Sequence, residues 1–292
     1  MINKPEVVLT EEDLDSFIYI LTDCTGIVPR ASHRDGIKTF IQQKISDNKY
    51  SIEQYKELLL TDKNLNSEFV NQSTVNETYF FREEKQFALL KEKIFPQWKL
   101  QNPVKEIKMW SAACSYGEEA YSLAVMAKSC GITPCVTASD INSDVLEHCK
   151  SGVFLGTSLR TVDGVMFQNL VLPYRRVDGR VAFPDDVKKL VTTMHLNLSE
   201  LDSFQNESLL PKNQNIIFIR NVFIYFSMEL RKQILYTLAE KCLAEDGYIF
   251  VSMSEIAQLD SSIVPKSLEK IVDGNIFYFH KTNATTGGKA NG

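Results

Sequence analysis

The chain is 292 residues long, room for one large domain or for a small one beside a larger, with a sizeable buried core. Apolar residues make up 44% and charged residues 24%, as in ordinary globular proteins, and a net charge of -5 gives no support to nucleic acid as the main partner, whose binders usually carry a basic stripe. No apolar run reaches the roughly 18 residues needed to cross a bilayer, so no membrane insertion is expected.

The amino terminus carries Glu11, Glu12, Asp13 and Asp15 where a signal peptide would need a basic flank and an apolar stretch, so a cytoplasmic protein is expected. Residues 1 to about 70 read as helical. Leu14, Phe17, Ile18 and Leu21 repeat at the spacing of a helix with one buried face, and Gly26 and Pro29 stop it. Ile37, Phe40, Ile41 and Ile45 repeat the pattern, as do Tyr55, Leu58 and Leu59 after a Ser51-x-Glu53 start. Asn76-Glu77-Thr78-Tyr79-Phe80-Phe81-Arg82-Glu83 then sets two phenylalanines among polar residues, which a packed junction would explain as readily as a ligand. Phe87 to Trp98 looks helical, ending near Pro103.

A strand, a tight turn and a helix follow. Ile107 to Trp110 form the strand, Ser111 to Gly117 keep side chains small, and Glu118 and Glu119 fall in the first turn of the helix, where carboxylates suit the macrodipole. In doubly wound α/β proteins such a corner binds ligands outside the carboxyl ends of the strands. With one glycine, Gly117, it lacks the G-x-G-x-x-G geometry for a pyrophosphate, and Glu118 would oppose a phosphate. An acid there suits a ligand with a positive group, such as the sulfonium of S-adenosylmethionine, although the two glutamates could equally be helix caps.

Val136 to Ile141 reads as a second strand ending at Asp140, an acid placed to accept both hydroxyls of a ribose. Residues 151 to about 190 are irregular, with a hairpin expected at Arg176-Val177-Asp178-Gly179-Arg180. Met194 to Leu198 looks like a third strand, with Asn197 either facing an adenine edge or forming a turn. Ile216 to Phe226 is the most apolar run and fits a strand buried on both faces. Arg220, Asn221 and Tyr225 interrupt it, and their buried polar groups need partners that a ligand could supply. A helix from Met228 to Leu243, a strand from Tyr248 to Met253, and a hairpin of Leu268 to Val272 with Ile276 to Phe279 across Asp273-Gly274 complete the sheet. Cys24, Cys114, Cys130, Cys135, Cys149 and Cys242 show no paired or metal spacing and are expected as free thiols. His33, His148, His195 and His280 are scattered, so no metal is expected.

N-E-T-Y-F-F-R-E, W-S-A-A-C-S-Y-G-E-E-A-Y-S-L-A, A-S-D-I-N, L-N-L and R-N-V-F-I-Y-F, in that order, resemble the CheR family of chemotaxis receptor methyltransferases over roughly residues 10 to 280. The resemblance implies an α/β protein: an all-α amino-terminal domain, residues 1–73, a linker and connecting helix, 74–103, and a Rossmann-like S-adenosylmethionine-dependent methyltransferase domain, 104–281. That domain would carry a small antiparallel β insertion at about 160–190, and a disordered tail, 282–292, would follow. It also implies transfer of the methyl group of S-adenosylmethionine to glutamates on the cytoplasmic helices of chemoreceptors, leaving S-adenosylhomocysteine. Carried over by motif, Asn76, Thr78 and Arg82 would contact the cofactor from the linker, Glu118 its methionine portion and Asp140 its ribose. Asn197 and Leu198 would lie near the adenine, Asn221 and Val222 would line the methyl donor's pocket, and Tyr225 is the candidate catalytic aid.

The sequence departs from the family where partners dock. The helix that is arginine-rich in the family offers only Lys38 and Lys44 between Ile37 and Ser46, and the insertion lacks an obvious glycine-rich loop, so tethering of a receptor's carboxyl-terminal pentapeptide is not expected. A non-catalytic S-adenosylmethionine-binding signalling module, or a methyltransferase of another acceptor protein, would share the same cofactor residues. Glu118 and the missing glycines disfavour a nicotinamide-dependent oxidoreductase.

Overall fold

The computed structural model describes residues 8–103, 105–202 and 210–282. Its first helix, α1 (Glu11–Thr25), begins with a capping box in which Asp13 N donates to Thr10 Oγ1 and Thr10 N to Asp13 Oδ2, both at 3.1 Å. It ends at Gly26, whose φ of 72° is the left-handed conformation of a helix stop. α2 (Ala31–Asn48), α3 (Ile52–Thr61) and α4 (Lys63–Ser73) follow, the last two started by side-chain caps at Ser51 and Asp62. Phe17, Leu21, Ile37, Ile41, Tyr55 and Phe69 bury one shared core among them. Asp62, extended at φ -103° and ψ 109° and capping Asn64 N and Leu65 N, separates α4 from α3.

α5 (Glu84–Leu89), a π-turn (Leu90–Ile94) and α6 (Phe95–Gln101) form the connecting helix. The α/β part then runs β1 (Ile107–Ala112), α7 (Glu118–Ser129), β2 (Pro134–Asp140), α8 (Ser143–Ser151), β3 (Val153–Phe154), β4 (Val181–Ala182), α9 (Asp185–Lys188), β5 (Val191–His195), β6 (Gln214–Ile219), α10 (Met228–Thr237), β7 (Leu243–Phe250), β8 (Leu268–Asp273) and β9 (Ile276–Lys281). Among the described residues the large sheet has seven strands in the order β5-β2-β1-β6-β7-β9-β8. Pairing is parallel from β5 through β7 and antiparallel for β9 and β8. This is the Rossmann-like sheet expected, with the helices of residues 11–73 ahead of it and a separate two-stranded antiparallel sheet, β3 with β4. The chain builds outward from β1 through β2 to β5, then returns to place β6 on the other side of β1. The carboxyl ends of β1 and β6 therefore flank the crevice in which doubly wound sheets bind ligands.

Several expected boundaries move. The run Ile216 to Phe226 is not one strand: β6 stops at Ile219, Asn221 takes φ 58°, and Phe223–Tyr225 form a 3-10 turn. Apolarity there reflects packing against α10, not continued pairing. The third strand lies earlier, at Val191–His195, which leaves Asn197 beyond its end. The turn at Asp178-Gly179 is present, closed by Arg176 N to Arg180 O at 2.7 Å, but Val181–Ala182 pair with Val153–Phe154, upstream of the expected insertion. The tail expected to be disordered, from residue 283 on, lies outside the described residues.

Gly117 is the tightest point of the strand–turn–helix corner. Its φ is 103°, and an added Cβ would lie 2.4 Å from Cys149 Sγ and 3.2 Å from Cys149 Cα. Gly117→Ala would combine a strained φ with a clash against α8, and a loss of about 2–4 kcal/mol in urea unfolding is expected.

Candidate active site

A cleft of about 1010 Å³, counting its open mouth, lies over the carboxyl ends of β1, β2, β5 and β6. It is lined by Asn76, Thr78 and Arg82 of the linker, by Asp140 after β2, by Asn197 and Leu198 after β5, and by Asn221, Val222 and Tyr225 after β6. Thus the structure brings together every residue singled out in the sequence except Glu118.

The floor is the turn after β1. Ala113 and Ser115 both take positive φ, 67° and 51°, a local strain tolerated because the turn is held from outside. Asp140 holds it: Oδ2 accepts Ser115 N at 2.8 Å, and Oδ1 accepts Asn142 N at 3.0 Å. A carboxylate offers about four acceptor sites, more than these amides occupy, so it can still receive a diol. Burial pushes the Asp140 carboxyl above the usual aspartate range, and its backbone hydrogen bonds pull the other way. The linker is pinned to the same floor through Ser115 Oγ, which donates to Asn76 O at 3.1 Å. Arg82 donates from NH1 to Glu77 O at 2.8 Å, and its guanidinium lies 5.6 Å from the Tyr79 ring centre.

Asn197 is engaged in its own turn: Oδ1 accepts Ser199 N at 3.1 Å, and Nδ2 donates to Cys24 O at 2.8 Å, joining β5 to the end of α1. Tyr225 is half-buried beside the start of α2, with the Arg30 guanidinium 5.8 Å and the His33 ring 6.3 Å from its own ring centre. Burial raises the Tyr225 pKa, so the phenol keeps its proton at neutral pH.

Glu118 is a correction. Consecutive residues of a helix point about 100° apart, and it is Glu119 that lines the cleft. The Glu118 carboxylate turns away instead, with Oε1 accepting Ser158 Oγ at 2.7 Å and Oε2 buried without a hydrogen-bond partner among the described residues. Burial raises its pKa. Glu119 Oε1 accepts Ser111 Oγ and Oε2 accepts Arg220 Nε, both at 2.6 Å. Arg220 NH1 donates to Arg82 O at 2.7 Å and to Gln86 Oε1 at 3.2 Å. Arg220 therefore has its partners inside the protein, and no ligand is needed to satisfy it. Nothing local in the sequence marks Glu119 or Gln86 as partners of an arginine 101 or 134 residues away. A buried arginine after a strand does imply that an acid is near, and Glu119 was the candidate available.

Because the Glu119 charge is matched by Arg220, the negative charge left over the floor is that of Asp140. A diol-bearing ligand with a flat apolar base fits this arrangement: Asp140 for the hydroxyls, Ile141, Leu198 and Val222 for the base and its neighbours. Among the described residues no group of three or more His, Cys, Asp or Glu is placed to hold a metal, and no helix is long and apolar enough to cross a membrane.

A family model described as "CheR methyltransferase, SAM binding domain" matches residues 76–269. The chain is 32% identical over 267 residues to chemotaxis protein methyltransferase 1 of Vibrio cholerae, covering 85% of this chain and 90% of that one. It is 30% identical over 268 residues to the chemotaxis protein methyltransferase of Vibrio anguillarum, with the same shares covered. To that of Salmonella typhimurium it is 33% identical over 195 residues, 64% of this chain and 62% of the other.

Arg220 and Glu119 are 2% and 10% exposed at their side chains, so removing one partner strands a charge away from water. Arg220→Met is expected to destabilise the protein by about 3–5 kcal/mol in chemical denaturation. Arg220→Met combined with Glu119→Leu should recover much of that loss.

Proposed function

The chain belongs to the CheR methyltransferase family, and from that premise we propose that it transfers the methyl group of S-adenosylmethionine to glutamate side chains on the cytoplasmic helices of chemoreceptors. The products would be glutamate methyl esters and S-adenosylhomocysteine. The observation that carries this is the convergence on one cleft of the linker residues, Asp140 and the segment after β6, at the point where the sheet changes direction.

Asp140 would hold the ribose, Leu198 and Asn197 would border the adenine, and Asn76, Thr78 and Arg82 would close over the cofactor from the linker. Asn221 and Val222 would line the donor end. When bound, S-adenosylmethionine supplies an electrophilic methyl group. The acceptor glutamate, with an ordinary pKa of about 4.3, arrives ionised at neutral pH, so no side chain has to take its proton. What the protein contributes is alignment and exclusion of water, and orientation alone can be worth roughly 7–11 kcal/mol. Arg82 of the cleft wall and Arg30, 5.8 Å from the Tyr225 ring centre, both act on the Tyr225 phenol and would favour the approach of an anionic side chain. With its pKa raised, Tyr225 would act as a hydrogen-bond donor to that carboxylate.

Incubation with methyl-labelled S-adenosylmethionine and receptor-containing membranes of the source cell, followed by mild base, should release volatile labelled methanol. Tyr225→Phe should lower the rate about tenfold or more. Label that stays on the protein in base would point to another acceptor group, and binding of S-adenosylhomocysteine without any transfer would point to a signalling module.

The raised Asp140 carboxyl gives a pH dependence. Acid protonates it sooner than an ordinary aspartate, and the protonated form is a poorer acceptor for ribose hydroxyls, so S-adenosylhomocysteine affinity should decline as pH falls toward its pKa. Asp140→Asn should bind about tenfold to a hundredfold more weakly at neutral pH in calorimetry, with a flatter pH profile.

A further inference from the structure

Glu255 lies outside the cleft, in the 3-10 segment Met253–Gln258 after β7, and is completely buried. Its carboxylate closes a capping box on that segment, with Oε2 accepting Ser252 N at 3.2 Å. Capping needs no more than this, and capping glutamates ordinarily sit in solvent. The same oxygen also accepts Asn221 N at 2.8 Å, 34 residues earlier in the chain. Burial raises the Glu255 pKa while the backbone amides around it pull the other way, and Oε1 is buried with no hydrogen-bond partner among the described residues.

Asn221 N belongs to the turn after β6 that gives the cleft Asn221, Val222, Tyr225 and Phe226. Asn221 sits there at φ 58°, a conformation that costs a residue with a side chain roughly 1 kcal/mol or more. A carboxylate that accepts the Asn221 amide offsets that cost with a charge-assisted hydrogen bond, about twice as strong as a neutral one.

We propose that Glu255 is a positioning residue: its buried carboxylate ties the amide of Asn221 to that of Ser252 and so fixes the donor-side wall of the cleft before any ligand arrives. Taking S-adenosylhomocysteine as the probe rests on the function proposed above. Glu255→Gln keeps the shape and removes the charge. The variant is expected to bind S-adenosylhomocysteine at least tenfold more weakly by calorimetry, and the segment 220–226 of its ligand-free form should exchange amide hydrogens at least tenfold faster, with exchange in β1 and β6 unchanged. A variant with a lower melting temperature but native affinity and native exchange over 220–226 would reduce Glu255 to a cap and overturn the proposal. Should Glu255→Gln fail to fold, the native ligand-free protein decides: exchange of 220–226 as slow as that of β6 supports the proposal, and exchange complete within seconds overturns it. A native protein that does not bind S-adenosylhomocysteine at all would remove the functional reading, while the exchange comparison would still judge the role of Glu255.

Discussion

The ion pair between Glu119 and Arg220 ties the architecture together. Removing two charges from water costs several kcal/mol each, and the cost is met only if both are fully hydrogen-bonded in fixed geometry. Here Glu119 comes from the first turn of α7, Arg220 from the end of β6, and the remaining contacts from Ser111 of β1 and from Arg82 and Gln86 of the linker region. A shift of any one of these elements would leave a charge unpaired. The linker, the central strand and the turn after β6 are therefore held in one arrangement, and the cleft lies among them.

Around this pair the same device recurs at each irregular stretch. Asp140 accepts amides of Ser115 and Asn142, Glu255 those of Asn221 and Ser252, and Asp163 those of Glu83, Glu84 and Gly164. Several of these stretches contain positive-φ residues with side chains: Ala113, Ser115, Glu83 and Asn221. A strand end opened to receive a ligand loses its ladder partners, and carboxylates replace them. Asp163 also accepts the Tyr79 hydroxyl at 2.8 Å, so the residues after β3 brace the linker from its outer side.

Two of the contacts that join the amino-terminal helices to the cleft come from the end of α1 and the residues after it. Cys24 O accepts Asn197 Nδ2, and Val28 N donates to Tyr225 O, both at 2.8 Å. The connection between α1 and α2 thereby borders the site, and Ile27, Pro29 and His33 contribute to its wall. An acceptor approaching Tyr225 would meet the helical region at the same time. Recognition and alignment would then be performed by the same surface.

Local pattern was enough for much of this protein. Helix stops at Gly26, the small-residue turn before Glu118, an acid at the end of the second strand and the Asp273-Gly274 hairpin all follow from backbone freedom, capping and periodicity over a few residues. Linear order of the motifs was enough to point to the cofactor. Directions were not legible. Whether Glu118 or Glu119 faces the cleft depends on a 100° rotation that no composition records, and whether the apolar run from Ile216 ends at Ile219 depends on Glu255 capturing Asn221 N from the next loop. Asn197, ambiguous as a sequence, closes its own turn on Ser199 N, and only the fold brings its Nδ2 to Cys24 O. Each of these was decided by a partner 34 to 173 residues away, since a buried polar group takes whatever partner the packed fold sets beside it.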